Sequence, residues 1–284
     1  MPHPTQLPLI TTAPADLAGW LRALQPRELP VLDDTAAMLE ALRATEDSVD
    51  AHLLAEDLSQ DPLMTLKLLR HVAALPRPAG RERADAETVT QALVMLGITP
   101  FFRDFGPQPT VSQHLAGMPR ALQGLDGVLQ RSRRAARFAL GFAIHRQDYD
   151  AAVLHEAALL HDFAEMLLWV HAPGLALAVA DDLRQHPGRR SVEAQRHHLN
   201  LPLADLQQAL MRQWRLPELL VRISDDHATS AAQVRNVQLA VRVARHSARG
   251  WDDPALPDDI ADIGALLNLG STPVLALLQQ IDAD

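Results

Sequence analysis

The sequence predicts an all-α chain, on three observations. Ala, Leu, Arg and Gln, all good helix formers, dominate the composition. Alternating runs of Val, Ile, Thr and aromatics are scarce, and aromatics make up only 4% of the residues. Start signals such as Asp61-Pro62 and Thr272-Pro273 stand directly ahead of apolar stripes. With 284 residues, 48% of them hydrophobic, the chain has enough apolar surface to offset its conformational entropy.

The elements follow in order. Pro2, Pro4, Pro8 and Pro14 keep the first dozen residues irregular, and a short helix is expected over 14–24. Pro26 to Pro30 interrupts it. Helices are expected at 33–44, with Met38, Leu39 and Leu42 inward, and at 49–58. Asp61 can cap free N–H groups, and Pro62 suits the first helical position, where its missing donor costs nothing. Leu63, Leu66, Leu69 and Val72 then form one apolar stripe. Residues 76–84 read as a charged surface loop. A helix over 86–96 ends at Gly97, a suitable C-terminal cap. Phe101, Phe102 and Phe105 follow, then a loop at 106–109. The second half begins near Met118, with helices expected at 125–145, 151–170, 175–185, 192–198, 203–212, 217–226, 231–247, 257–267 and 272–281.

Composition excludes several functions. The chain has no cysteine, which removes disulfides, thiolate metal sites and a thiol nucleophile. Its formal net charge of -9 disfavours non-specific binding to nucleic acid or anionic membrane. No basic start leads into an apolar run near Met1, and no stretch reaches about 18 uninterrupted apolar residues, so no membrane span is expected. A cytoplasmic setting is expected. No Walker loop, nucleophile elbow or dinucleotide-binding glycine pattern occurs.

The most informative segment runs from Leu154 to Trp169 and is apolar on nearly every side of a helical wheel. Such a helix belongs in the middle of a bundle, yet it carries His161-Asp162, a pair that is costly to bury without partners. Ala158-Leu159-Leu160-His161-Asp162 resembles the motif of the HD superfamily, all-helical metal-dependent phosphohydrolases. The flanks are more specific. Leu29-Pro30, then Ser59-Gln60-Asp61-Pro62 running into Leu66-Lys67 and Leu68-Leu69-Arg70, resembles the HDOD signature. Val89, Ala92 and Leu96-Gly97 resemble its next segment, and Trp214-Arg215-Leu216-Pro217 with Ile223 its later helix junction.

The resemblance covers residues 28–230. It implies an HD-like helical bundle with an N-terminal helical lobe, preceded by a segment over 1–27 and followed by C-terminal helices over 231–284. It also implies a non-catalytic bacterial signalling module whose partner is another signalling protein.

An HD enzyme holds its metal with a His from an earlier helix, the His-Asp pair and a later Asp. The earlier His should stand just before Ser132, where this chain has Arg131, a permanent cation with no lone pair to give. The later Asp should fall within Ala240-Val241-Arg242, and none is there. Near Leu203, a His usual before the Trp214 junction is missing, and Ala164-Glu165 replaces the Gly and Lys common after the pair. His161 and Asp162 are therefore read as a vestigial, hydrogen-bonded marker of the fold, with no catalytic residues, no metal and no cofactor expected. On that reading His161→Ala destabilises by about 1–3 kcal/mol. A divalent centre for hydrolysis of a nucleotide or cyclic dinucleotide, with His155 or His227 assisting, is the alternative.

Other polar clusters receive plainer readings. His155 precedes Asp162 by seven residues, on the same helical face. His197-His198 point apart on a helix, and no pair shows the i, i+4 spacing of a helical zinc site. Arg131, Arg133, Arg134 and Arg137 form the strongest basic cluster, available to a ligand phosphate, an acidic partner or nucleic acid, with salt bridges to local acids preferred and nucleic acid unlikely. Arg189-Arg190 read as solvated charge. Trp169 and Trp214 are placed in the core. Trp20 and Trp251 lie near edges, where burial in a satellite cluster is preferred over a partner anchor.

Overall fold

The computed structural model describes residues 8–76, 85–225 and 231–283. Within them the chain is all-α. The only extended pairing among the described residues is an isolated parallel bridge between Val31 and Thr110. The expected loop at 76–84 lies outside the described residues from 77 on.

The N-terminal lobe contains α1 (Leu17–Leu24), α2 (Asp33–Arg43), α3 (Ala51–Leu58), α4 (Pro62–Ala74), α5 (Val89–Leu96), α6 (Ile98–Asp104) and α7 (Val111–His114). Local chemistry sets these boundaries. The Asp61 carboxylate accepts from the backbone N–H groups of Leu63 and Met64, and Pro62 occupies the first turn. The same carboxylate reaches back to accept from Leu32 N–H, tying α2 to α4. The helix expected from 86 starts instead at Val89, because Thr88 caps it by accepting from Gln91 N–H. It ends at Gly97 with φ of +84°, a left-handed conformation that favours glycine.

The phenylalanine segment, left unassigned by pattern, forms α6. Arg43 holds its C-terminal end by donating to the carbonyls of Phe102 and Phe105. Those carbonyls lack intrahelical partners at a helix end, so the guanidinium satisfies them.

The second lobe is built on α8 (Pro119–Arg146), which begins six residues earlier than expected, with Pro119 in its first turn. Against it pack α9 (Ala151–Leu159), α10 (Phe163–His171), α15 (Ala232–His246) and α17 (Ser271–Ala283). The buried face of α8 carries Ala135, Ala136, Ala139 and Ala143, small residues that let neighbouring helices approach closely. Two glycines make the approach closer still. A Cβ at Gly124 would stand 2.4 Å from the Trp169 ring, and one at Gly141 would stand 2.4 Å from Ile281 Cδ1.

Around this centre lie α11 (Pro173–Gln185), α12 (Ser191–Leu199), α13 (Leu203–Gln213), α14 (Glu218–Ile223) and α16 (Leu256–Leu267). The helix expected over 217–226 is shorter than the pattern suggested, and residue 226 lies outside the described residues. No single helix among the described residues is long and apolar enough to cross a membrane.

The single helix expected over 151–170 is two. Between α9 and α10 the backbone turns at residues 160–162, where His161 N–H and Phe163 N–H bond to carbonyls three residues back, those of Ala158 and Leu160. The apolar pattern runs unbroken through this turn, so periodicity could not reveal it. Its consequence is functional: adjacent residues on a regular helix face different ways, and the turn brings the two side chains at 161 and 162 together.

Candidate functional site

His161 Nδ1 and Asp162 Oδ1 stand 3.1 Å apart at the turn between α9 and α10, both side chains buried. The Asp162 carboxylate is only 8% exposed. Burial alone would raise its pKa, but Arg245, His161 and Arg131 together hold it well below the usual carboxylate range. Arg245, from α15, donates from Nη2 to Asp162 Oδ1 at 2.6 Å. The pair that the sequence left alone is therefore the centre of an ion-pair network.

Arg131 occupies the place where the resemblance calls for an early histidine. Its guanidinium lies 3.0 Å from Glu165 Oε2 and donates to the Gly127 carbonyl, and its charge acts on Asp162. Glu165 in turn accepts weakly from Trp169 Nε1 at 3.5 Å. The helix that should deliver a later carboxylate, α15, delivers Arg245. Sequence reasoning missed this residue. The available signal was an arginine one turn beyond the stretch with the missing Asp.

A divalent ion needs several neutral or anionic donors converging on one point. Around Asp162 stand two guanidiniums, which repel a cation and offer it no lone pair. Among the described residues no three His, Asp or Glu side chains come together as a metal-binding set. The described residues thus do not fit the metal of the HD enzymes. His155 lies on α9 before the turn, so the uninterrupted helical face expected to join it to Asp162 does not exist; burial lowers its pKa to about 4. His227 lies outside the described residues.

The basic cluster on α8 disperses. Arg133 donates to the Gln60 carbonyl, joining α8 to the N-terminal lobe. Arg134 grips Asp282 through two bonds of 2.7 and 2.8 Å and also donates to Ser247 Oγ and the Ala244 carbonyl. Arg137 lies 3.8 Å from Asp282. Of the four arginines of the expected cluster, only Arg134 and Arg137 meet at one partner, Asp282, and their site is an anchor for α17.

Two further expectations need correction. Arg189 is not solvated charge: it donates to both oxygens of Asp182, at 2.5 and 2.6 Å, while Arg190 is exposed. His197 and His198 do not point apart; their rings meet edge to face at 4.6 Å. His198 and His186 complete the shell of Asp182, whose pKa Arg189 and these imidazoles hold at about 2. Trp20 is fully buried and donates to the Leu199 carbonyl, Trp169 and Trp214 lie in the core, and Trp251 packs half-buried against it.

Beside His161 opens a cleft of about 420 Å³. Its walls carry Arg235, Gln238, Arg242 and Arg245 of α15 and Asp262 of α16. The four α15 positions recur at intervals of three and four, so they share one helical face.

Comparison with curated proteins finds no match. The fold is similar to the solved structure of the MmoQ response regulator from Methylococcus capsulatus str. Bath, with 21% identity, a TM-score of 0.64, and coverage of 88% of this chain and 98% of that one. It is also similar to a virulence factor from Campylobacter jejuni subsp. jejuni, with 18% identity, a TM-score of 0.61, and coverage of 92% and 97%. The profile of the HDOD domain matches residues 29–230. The chain belongs to the HDOD domain family.

Proposed function

We propose that the chain is a non-enzymatic bacterial signalling module that acts by presenting its helical surfaces to another signalling protein. The observation that carries this reading is the Arg245–Asp162 ion pair. A guanidinium neutralises the carboxylate that an HD enzyme uses for metal, and Arg131 adds a second positive charge. With that carboxylate paired to a guanidinium, a divalent ion would lack the donor it needs to sit there and lower the pKa of a bound solvent molecule.

What remains is a helical scaffold in which the His161–Asp162 pair is committed to internal contacts. Family membership supports a place in bacterial signalling, and one protein of the same fold is named a response regulator.

Two assays on the intact chain test the reading. Nucleotides and cyclic dinucleotides incubated with protein and Mn²⁺ should give no product above the protein-free rate. Cross-linking of tagged protein in its native host should recover a discrete signalling protein. Turnover abolished by His161→Ala, or the absence of any stoichiometric partner, would overturn it.

A further inference from the structure

We propose that the cleft along α15 binds a small organic phosphate of the nucleotide class. Three guanidiniums, those of Arg235, Arg242 and Arg245, line it against one carboxylate, Asp262. Arg245 and Arg242 are paired with Asp162, Asp259 and Asp262, and the Arg235 guanidinium adds a charge that no carboxylate among the described residues meets. Guanidinium forks match phosphate oxygens in charge and geometry.

Two of the three arginines are held in place by neighbouring carboxylates. Arg242 donates from Nε to Asp259 Oδ1 at 2.6 Å and from Nη2 to Asp262 Oδ2 at 2.5 Å, which leaves Nη1 available. Asp259 is itself buried and fixed by His246 Nδ1 at 2.6 Å. Arg245 is oriented by Asp162. Side chains pre-ordered in this way lose little freedom on capturing an anion.

Arg235 differs. It is half-buried on the cleft wall, and its side chain makes no hydrogen bond or ion pair with any described residue. Its five N–H donors are uncommitted.

The cleft suits more than a bare anion. Its volume of about 420 Å³ lies in the range of small-molecule sites, about 300–1,000 Å³. Leu239 and Val241 add apolar surface to its lining, and the Gln238 amide adds a polar group. A phosphate on the arginines, with a heterocycle against the apolar side chains, uses both kinds of lining. Capture of such a ligand does not require the partner-binding reading above to hold.

Calorimetric titration of the full chain at low salt tests this, with AMP, GMP, ADP and GDP as ligands and inorganic phosphate, adenosine and guanosine as comparators. At least one nucleotide should saturate a single site with Kd below about 1 mM. Its nucleoside and inorganic phosphate should each bind at least ~10-fold more weakly. Arg235→Ala should weaken the nucleotide ~10-fold with an unchanged melting temperature, since the side chain holds nothing in the fold. Arg190→Ala, on an exposed arginine elsewhere, should bind as wild type.

No saturable binding by any nucleotide, equal affinity for inorganic phosphate, or wild-type affinity in Arg235→Ala would each overturn the proposal. Chromatography of the titrated sample separates the two readings: a bound nucleotide recovered intact leaves both standing, whereas its hydrolysis supports the site and removes the non-enzymatic function.

Discussion

Replacing Arg245 by Ala should destabilise the protein by about 2 kcal/mol, and most of that loss should vanish when Asp162 is already Asn. At a charge separation of about 4 Å and an effective dielectric near 20, the gross attraction is about 4 kcal/mol. The Arg245 side chain is 49% exposed, so solvent screens about half of it. Asp162 is buried and keeps His161 and the Arg131 charge after the substitution, which limits the penalty of leaving its carboxylate behind. A double-mutant cycle isolates the pair: urea unfolding of wild type, Arg245→Ala, Asp162→Asn and the double variant at pH 7 should give a coupling of about 1–2 kcal/mol.

The coupling has a definite pH dependence. Asp162 has a depressed pKa in the folded state, so its contribution is present above the carboxylate's unfolded value and is lost as pH falls through the folded value. The wild type should therefore lose more stability than Asp162→Asn on acidification below about pH 4. A coupling within about 0.3 kcal/mol of zero would refute the claim that Arg245 neutralises this carboxylate.

Other sites give independent checks. Glu156 is buried on α9 with Oε2 unpartnered, accepts from Val89 N–H, and has its pKa pushed up to about 7 by burial. Its contribution is complete below the unfolded value and is lost as pH rises through 7, so Glu156→Gln should be more stable than wild type by about 3 kcal/mol at pH 9 and near equal at pH 4.5; parallel denaturation curves at both pH values would contradict this. Gly124→Ala must displace the Trp169 ring and should cost about 1–3 kcal/mol with altered tryptophan fluorescence. Gly127→Ala on the same helix meets nothing within 4 Å and should gain up to about 1 kcal/mol from helix propensity. Arg134→Ala removes the two-pronged grip on Asp282, and hydrogen exchange should accelerate in residues 271–283 while α9 stays protected.

The sequence revealed what local chemistry dictates. Asp61-Pro62 announced the start of α4 because a capping carboxylate bonds to N–H groups two and three residues away. Gly97 announced the end of α5 for an equally local reason. The turn inside 151–170 was hidden because every residue around it is buried, which leaves the hydrophobic pattern no phase to shift.

The site was legible by half. His161, Asp162 and the oddity of Arg131 could be read from the chain. Arg245, 83 positions from Asp162, could not, and neither could the 148-residue reach from Arg134 to Asp282. Pairings at such separation depend on how helices pack. Arg235, Arg242 and Arg245 belong to no motif and carry no mark of the cleft they line until α15 is laid beside α16 and the turn.

The central claim is that positive side chains hold the His161–Asp162 pair in place of an ion. Calorimetric titration of chelator-treated protein with Mn²⁺ at pH 7.5 tests it most directly, with His161→Ala as the control. The account predicts heats of dilution alone, identical for both proteins. One equivalent of Mn²⁺ bound by wild type and lost in His161→Ala would contradict it.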